Sequence, residues 1–138
     1  MDVFVDTSAF ISSLNKKDSN HKKALQLSDQ YYEAGFTFLT SNIVVYEVYT
    51  VLSLRVDKRK AFQFREVNLK RLTPIIYLDE ELEKIAWQIF ERLTSKNVSF
   101  FDCTSFAVIE KYKLGYAFSF DKDFAKFCRE SRVKLNEI

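Results

Sequence analysis

The sequence predicts an α/β fold: a central, mostly parallel sheet of four to five short strands, covered on both faces by helices. Two observations carry this. Short apolar runs alternate along the chain with longer segments whose apolar residues recur at helical spacing. The composition, 47% hydrophobic and 16% aromatic with only two Gly and one Pro, supports a sizeable core but few of the tight turns that an all-β fold needs. At 138 residues, a single domain spanning 1–138 is expected.

In chain order, Val3 to Val5 reads as a buried strand running into a helix start at Asp6-Thr7-Ser8. A polar helix follows from Asn20 to Glu33, closed by Gly35 as a C-terminal cap, and Phe36 to Thr40 is the second strand. Ile43 to Leu54 is the next helix, with a less periodic one over Lys60 to Leu72 before Pro74. Ile75 to Leu78 reads as the third strand. Asp79, Glu80 and Glu81 then place acids in the first turn of a helix, where the macrodipole favours them, and that helix buries Leu82, Ile85, Ala86, Ile89 and Leu93. The helix carrying Asp102 ends at Gly115. Tyr116 to Phe120 makes a fourth strand, Asp123 to Glu130 a last helix and Val133 to Leu135 a fifth strand. No internal repeat, low-complexity tract or linker interrupts the chain.

Several function classes lack material. The N-terminal apolar stretch contains Asp2 and Asp6 and no basic segment, unlike a signal peptide. The run from Ile43 to Leu54 is interrupted by Glu47 and falls short of the roughly 18 residues that span a bilayer, so a cytoplasmic protein with no membrane partner is expected. Cys103 and Cys128 form no C-x-x-C pattern and read as reduced core thiols; His21, the single histidine, lies in a lysine-rich run and reads as a solvated surface residue. A zinc site or a Ser-His-Asp triad cannot be assembled from these. The net charge of +2 is modest, but it is unevenly spread: Lys16, Lys17, Lys22 and Lys23 form one basic group, Arg55, Lys58, Arg59 and Lys60 a second, and Lys122, Lys126, Arg129, Arg132 and Lys134 a third. Each group taken alone is most simply a solvated helix face.

The acids are more informative. In VSFFDCTSFAVIEKYKLG, Asp102 stands between Val98 at i−4 and Phe106 and Ile109 at i+4 and i+7, so a carboxylate occupies an apolar stripe. Glu47 stands likewise among Ile43, Val51 and Leu54. Asp6 and Asp121 stand at the carboxyl ends of strands, with Asp123 close behind, and the carboxyl edge of an open parallel sheet is where ligand crevices lie. Singly, each has a structural explanation: a helix N-cap for Asp6, Asp121 or Asp123, a buried Lys or Arg partner for Glu47 or Asp102. Convergent carboxylates, by contrast, repel one another unless a cation joins them, and with no His or Cys placed to help, Mg²⁺ or Mn²⁺ is the fitting ion. A pair of such ions roughly 4 Å apart can activate water against a phosphodiester and stabilise the leaving oxygen, which is nuclease chemistry.

The segments MDVFVDTSAF, SNIVVYEV, FFDCTSFAVIEKYKLG and AFSFDKDF, in this order, resemble a PIN-domain ribonuclease of the VapC-like toxin type. The likeness runs over nearly the whole chain and is most specific in its last third; residues 56 to 91 carry no motif. The resemblance implies a PIN-like α/β/α sandwich and a metal-dependent endoribonuclease acting through metal-activated water. It implies that Asp6, Glu47, Asp102 and Asp121 hold Mg²⁺ or Mn²⁺, with Asp123 as an accessory acid, and that Thr7 or Ser8 and Ser119 support the site. Ser119 stands where Thr is commoner in the family. A homodimer and a cognate antitoxin protein are further implications. In this reading the basic groups around the crevice hold the RNA backbone, and Lys122, beside Asp121, is best placed by sequence to approach it.

Two rivals remain open. An aspartyl phosphatase is suggested by FVDTS but typically needs a second Asp where Ser8 stands. A non-catalytic RNA-binding or assembly module would tolerate loss of the acids, all of which are present.

Overall fold

A computed structural model describes residues 1–71 and 74–138. The expected helix end at Leu72 lies outside them. Among the described residues, five strands form one fully parallel sheet: β1 (Asp2–Val5), β2 (Thr37–Ser41), β3 (Ile75–Ile76), β4 (Tyr116–Phe118) and β5 (Lys134–Leu135), in the order β3-β2-β1-β4-β5. The chain moves outward from β1 through β2 to β3, then returns to β1's other side with β4 and β5. A topological switch point therefore lies between β1 and β4, where Val5 pairs with Phe118.

Among the described residues, seven α-helices cover the sheet: α1 (Thr7–Leu14), α2 (His21–Glu33), α3 (Asn42–Arg55), α4 (Lys58–Gln63), α5 (Glu80–Arg92), α6 (Phe100–Lys111) and α7 (Lys122–Ser131). Alternation along β1 divides the core. Val3 and Val5 pack with Ala24, Leu27 and Tyr31 of α2, while Phe4 points the other way into a larger core with α3, α5, α6 and α7. This is the α/β/α sandwich expected from the sequence. Among the described residues no helix is long and apolar enough to cross a membrane.

Several expectations are corrected in detail. The strands expected over Ile75–Leu78, Tyr116–Phe120 and Val133–Leu135 are shorter. The helix expected from Lys60 begins at Lys58, where the Asp57 carboxylate accepts the Lys60 N–H at 2.8 Å, and beyond Gln63 it passes into a π-helical turn over Phe64–Asn68. Fully buried Phe64 anchors that turn against the ring edges of Phe10 and Tyr49.

α6 ends at Lys111, not Gly115. The Leu114 N–H reaches back to the Ile109 carbonyl (3.0 Å) and the Lys113 N–H to that of Glu110 (3.2 Å), and Lys113 takes the left-handed conformation with φ +52°. The same closure ends α7 at Arg132 (φ +59°) and α2 at Gly35 (φ +80°), so only one of the three uses glycine. His21 is half-buried, and its Nδ1 lies 2.8 Å from the Ser12 carbonyl, tying α2 to α1; it is not merely solvated.

Candidate active site

Each expected acid follows from a local feature of the chain. Asp6 is the first residue beyond β1 and the N-cap of α1, yet its side chain makes no cap hydrogen bond. Its Oδ2 instead accepts the Ser119 hydroxyl at 2.7 Å and the Ser8 hydroxyl at 3.3 Å, and the two hydroxyls lie 3.1 Å apart. Ser8 Oγ also accepts the Phe120 N–H (2.9 Å), and Ser119 Oγ the Asp121 N–H (3.1 Å). The two strand ends at the switch point are thus stitched through Asp6.

Asp121 caps α7: its Oδ1 accepts the N–H groups of Asp123 (2.7 Å) and Phe124 (3.3 Å), while among the described residues its Oδ2 takes no hydrogen bond. Asp102 forms a capping box with Ser99, donating its N–H to Ser99 Oγ (3.0 Å) and accepting the Ser99 N–H on Oδ2 (3.3 Å). Its neighbours Val98, Phe106 and Ile109 are buried as expected, but Asp102 itself is half-buried at the rim of the core.

Glu47 departs furthest from expectation. The buried face of α3 is Val44, Val45, Val48 and Leu52, whereas Leu54 is 81% exposed and Glu47 lies on the exposed side. The relevant stripe is Glu47, Val51 and Arg55, spaced i, i+4, i+8 along one helix face.

Asp6, Thr7, Ser8, Glu47, Asp102 and Asp121 line one open cavity of about 290 Å³ at the carboxyl edge of the sheet. Asp18 and Asn20 line it too and were not read from the sequence, and so does Arg55, which was read only as one of a basic group. Arg55 was signalled by its spacing from Glu47; Asp18 holds a local turn that Asp-Ser-Asn could have signalled, accepting the Asn20 N–H at 2.8 Å and Ser12 Oγ at 3.1 Å, and only its nearness to the acids is tertiary. Asp123 and Lys122 do not line the cavity, and Ser119 lies beneath it, fully buried. Asn136 was also missed. Its side chain accepts the Ser119 N–H (3.1 Å) and donates to the Ser119 carbonyl (2.9 Å), pairing with both backbone polar groups of that residue.

The electrostatics are those of crowded acids. Burial pushes the Asp6 carboxyl up to about 7 against the pull of Ser119, and the charges of Asp102 and Asp121 add to the rise. Burial pushes Asp102 up to about 6, with Asp121 and Glu47 adding to it and Ser99 opposing. Among the described residues, the ion pairs are Lys70–Glu66, Arg92–Glu110 and Lys111–Glu81, and none involves these acids. Among the described residues, the buried ion pair considered for Glu47 and Asp102 is therefore not formed.

Oxygen-only, mutually repelling donors suit a hard divalent ion. Among the described residues, however, no group of three or more His, Cys, Asp or Glu side chains is arranged to hold one as it stands. An ion here would need water to complete its shell, as Mg²⁺ commonly does. Ser8, whose hydroxyl is engaged by Phe120, Asp6 and Ser119, offers nothing to the aspartyl-phosphatase reading.

Residues 3–130 match the sequence profile of the PIN domain. The chain belongs to the PIN-domain family. This PIN domain is 32% identical over 123 residues to the 23S rRNA-specific endonuclease VapC20 of Mycobacterium tuberculosis, covering 89% of this chain and 92% of that protein. The crystal structure of VapC20, described as a sarcin–ricin loop cleaving toxin, superposes with a TM-score of 0.78 at 31% identity, over 90% of this chain and 93% of that one. FitAcB from Neisseria gonorrhoeae (TM-score 0.72, 17% identity, 98% and 96% covered) and VapBC2 from Rickettsia felis bound to a DNA fragment of its promoter (0.69, 17%, 98% and 97%) share the fold.

Proposed function

We propose that the protein is a Mg²⁺- or Mn²⁺-dependent endoribonuclease, the toxin of a toxin–antitoxin pair, cutting RNA phosphodiesters at the acidic cavity. The observation that carries this reading is the convergence of Asp6, Glu47, Asp102 and Asp121, without an ion-pair partner among the described residues, at the switch point of a PIN domain related to an rRNA endonuclease.

In this reading those four acids hold the ion, directly or through water, and Asp123 acts from outside the cavity. When bound, a divalent ion neutralises phosphate charge and lowers the pKa of water. The chain's own contribution is orientation and charge. Ser119 and Ser8 fix the Asp6 carboxylate, and the backbone amides of α7 hold Asp121 by one oxygen and leave the other for the cavity. Lys122, exposed beside Asp121, is a candidate phosphate contact. Without an ion the acids repel RNA, so both binding and cleavage at this point depend on it.

The reading extends to a homodimer and a cognate antitoxin. The exposed aromatics Trp87, Phe90 and Phe101 on α5 and α6 are the kind of surface such partners cover.

The test is incubation of purified protein with structured RNAs, a large-subunit rRNA loop among them, in Mn²⁺ and in EDTA, beside Asp121→Asn. Discrete products are expected only for the wild type with metal. Undiminished cleavage in EDTA, by protein free of contaminating nuclease, would overturn the metal-dependent reading.

A further inference from the structure

A second open cavity, of about 590 Å³, lies against the acidic one and shares Arg55 with it. Its lining includes Lys16 and Lys17, just after α1, and Arg59 and Lys60 of α4, so the fold brings together two basic groups that are some forty residues apart in sequence. Among the described residues none of these five cations forms an ion pair. Among the described residues the one acid in the lining, Asp57, uses its Oδ1 to accept the Lys60 N–H.

Five unpaired cations around one concavity repel each other, and a polyanion relieves that repulsion while releasing its own counterions. Among the described residues the lining contains no Phe, Tyr, Trp or His, so it offers bases no aromatic platform. What these side chains recognise is phosphate, without regard to sequence.

We infer that this basic cavity holds the sugar–phosphate backbone of single-stranded RNA as it enters the acidic cavity, with Arg55 meeting the phosphate nearest the acids. The inference rests on the acidic cavity being the place of RNA cleavage. It also shifts the main RNA contact from Lys122, which lines neither cavity, to the C-terminal end of α3, to α4 and to the segment after α1.

The experiment measures binding of labelled U12 and A12 RNAs by the full chain in EDTA across a KCl series, for the wild type, Arg59→Gln/Lys60→Gln and Lys22→Gln/Lys23→Gln. The last pair removes the same charge from exposed α2 positions outside the cavity. Melting curves verify that each variant is folded. For Arg59→Gln/Lys60→Gln the slope of log K against log salt should fall by about 1.4, two single-strand phosphate contacts at about 0.7 each, with equal loss for both RNAs. Lys22→Gln/Lys23→Gln should keep the wild-type slope.

Equal losses in the two double variants would mean diffuse charge and overturn the inference. So would an unchanged slope in Arg59→Gln/Lys60→Gln, or no salt-dependent binding by the wild type. Cleavage assays of the same proteins in Mn²⁺ separate the two readings: a wild type that cuts nothing but loses slope on Arg59→Gln/Lys60→Gln sinks the nuclease and keeps the track. A wild type that cuts while its slope is indifferent to those residues does the reverse.

Discussion

The Ser119 hydroxyl donates a 2.7 Å hydrogen bond to Asp6 Oδ2, joining residues 113 positions apart at the ends of two neighbouring strands. Both partners are buried, and the same Ser119 oxygen accepts the Asp121 N–H. One hydroxyl therefore orients the Asp6 carboxylate and ties down the backbone from which Asp121 projects.

Ser119→Ala should accordingly cost about 1–3 kcal/mol of stability, because it leaves Asp6 short of its closest donor inside the protein. If Asp6 binds metal, Mn²⁺ affinity should drop by about 10–100-fold, as for other groups that orient a ligand. Asn136→Ala, which frees the Ser119 peptide, should change both in the same direction. Urea melts and Mn²⁺ titrations measure the two effects; a Ser119→Ala protein with wild-type values in both would show the bond to be idle.

The pH dependence follows from Asp6. Its folded pKa of about 7 lies above the usual 3.8, so the folded state holds the proton more tightly than the unfolded chain. The stability this provides is complete below about pH 4 and is lost as pH rises through about 7. In EDTA, Asp6→Asn should therefore show a shallower fall in Tm between pH 4 and 7 than the wild type, with the difference greatest near neutrality. Parallel Tm curves for the two proteins would contradict the raised pKa.

Asp102→Asn removes one of the repelling charges while the amide oxygen can still accept the Ser99 N–H. The metal-free protein should be as stable as the wild type or more so, and its gain in Tm on adding Mn²⁺ should shrink. A loss of 3–5 kcal/mol, the cost of stranding a buried cation, would instead reveal an ion pair at Asp102.

Lys113 and Arg132 occupy left-handed positions that glycine adopts without steric cost. Lys113→Gly and Arg132→Gly should each stabilise the protein by about 0.5–1 kcal/mol, the relief being partly offset by glycine's greater freedom in the unfolded chain. Chemical denaturation of each variant checks this, and destabilisation by either would mean that its long side chain packs more usefully than its backbone conformation costs.

Lys122→Ala should lower the salt slope of RNA binding by no more than about 0.7, the value of a single phosphate contact. A drop as large as that from Arg59→Gln/Lys60→Gln would move the main RNA path to α7.

The sequence alone determined the order of strands and helices, because two-residue and 3.6-residue periodicities are local properties of the chain. The helix start at Asp79 and the end at Gly35 were legible from capping chemistry, and Asp121 stood as a possible N-cap, but the cap at Ser99 was not read. Helix ends at Lys113 and Arg132 were not, since nothing in a lysine or arginine announces a left-handed backbone that packing imposes. The acids were legible as candidates because a carboxylate on an apolar stripe or a strand end is locally anomalous. For Glu47, however, the right stripe was the one shared with Arg55, and only the direction of the core, a tertiary fact, distinguishes the two.

The tertiary structure alone decided which acids share a cavity and which do not. Asp6 and Asp121 share a cavity because β1 and β4 pair in parallel at the switch point, and Asp123, two residues on, does not line the cavity that Asp121 lines. It alone showed that Asp102 and Asp121 cap helices and line the cavity at once, since a carboxylate has two oxygens and the explanations that compete on paper can be satisfied together. It also turned two ordinary basic runs into one concave surface, because charge acts through space and its sum over residues distant in sequence is set by how the helices pack.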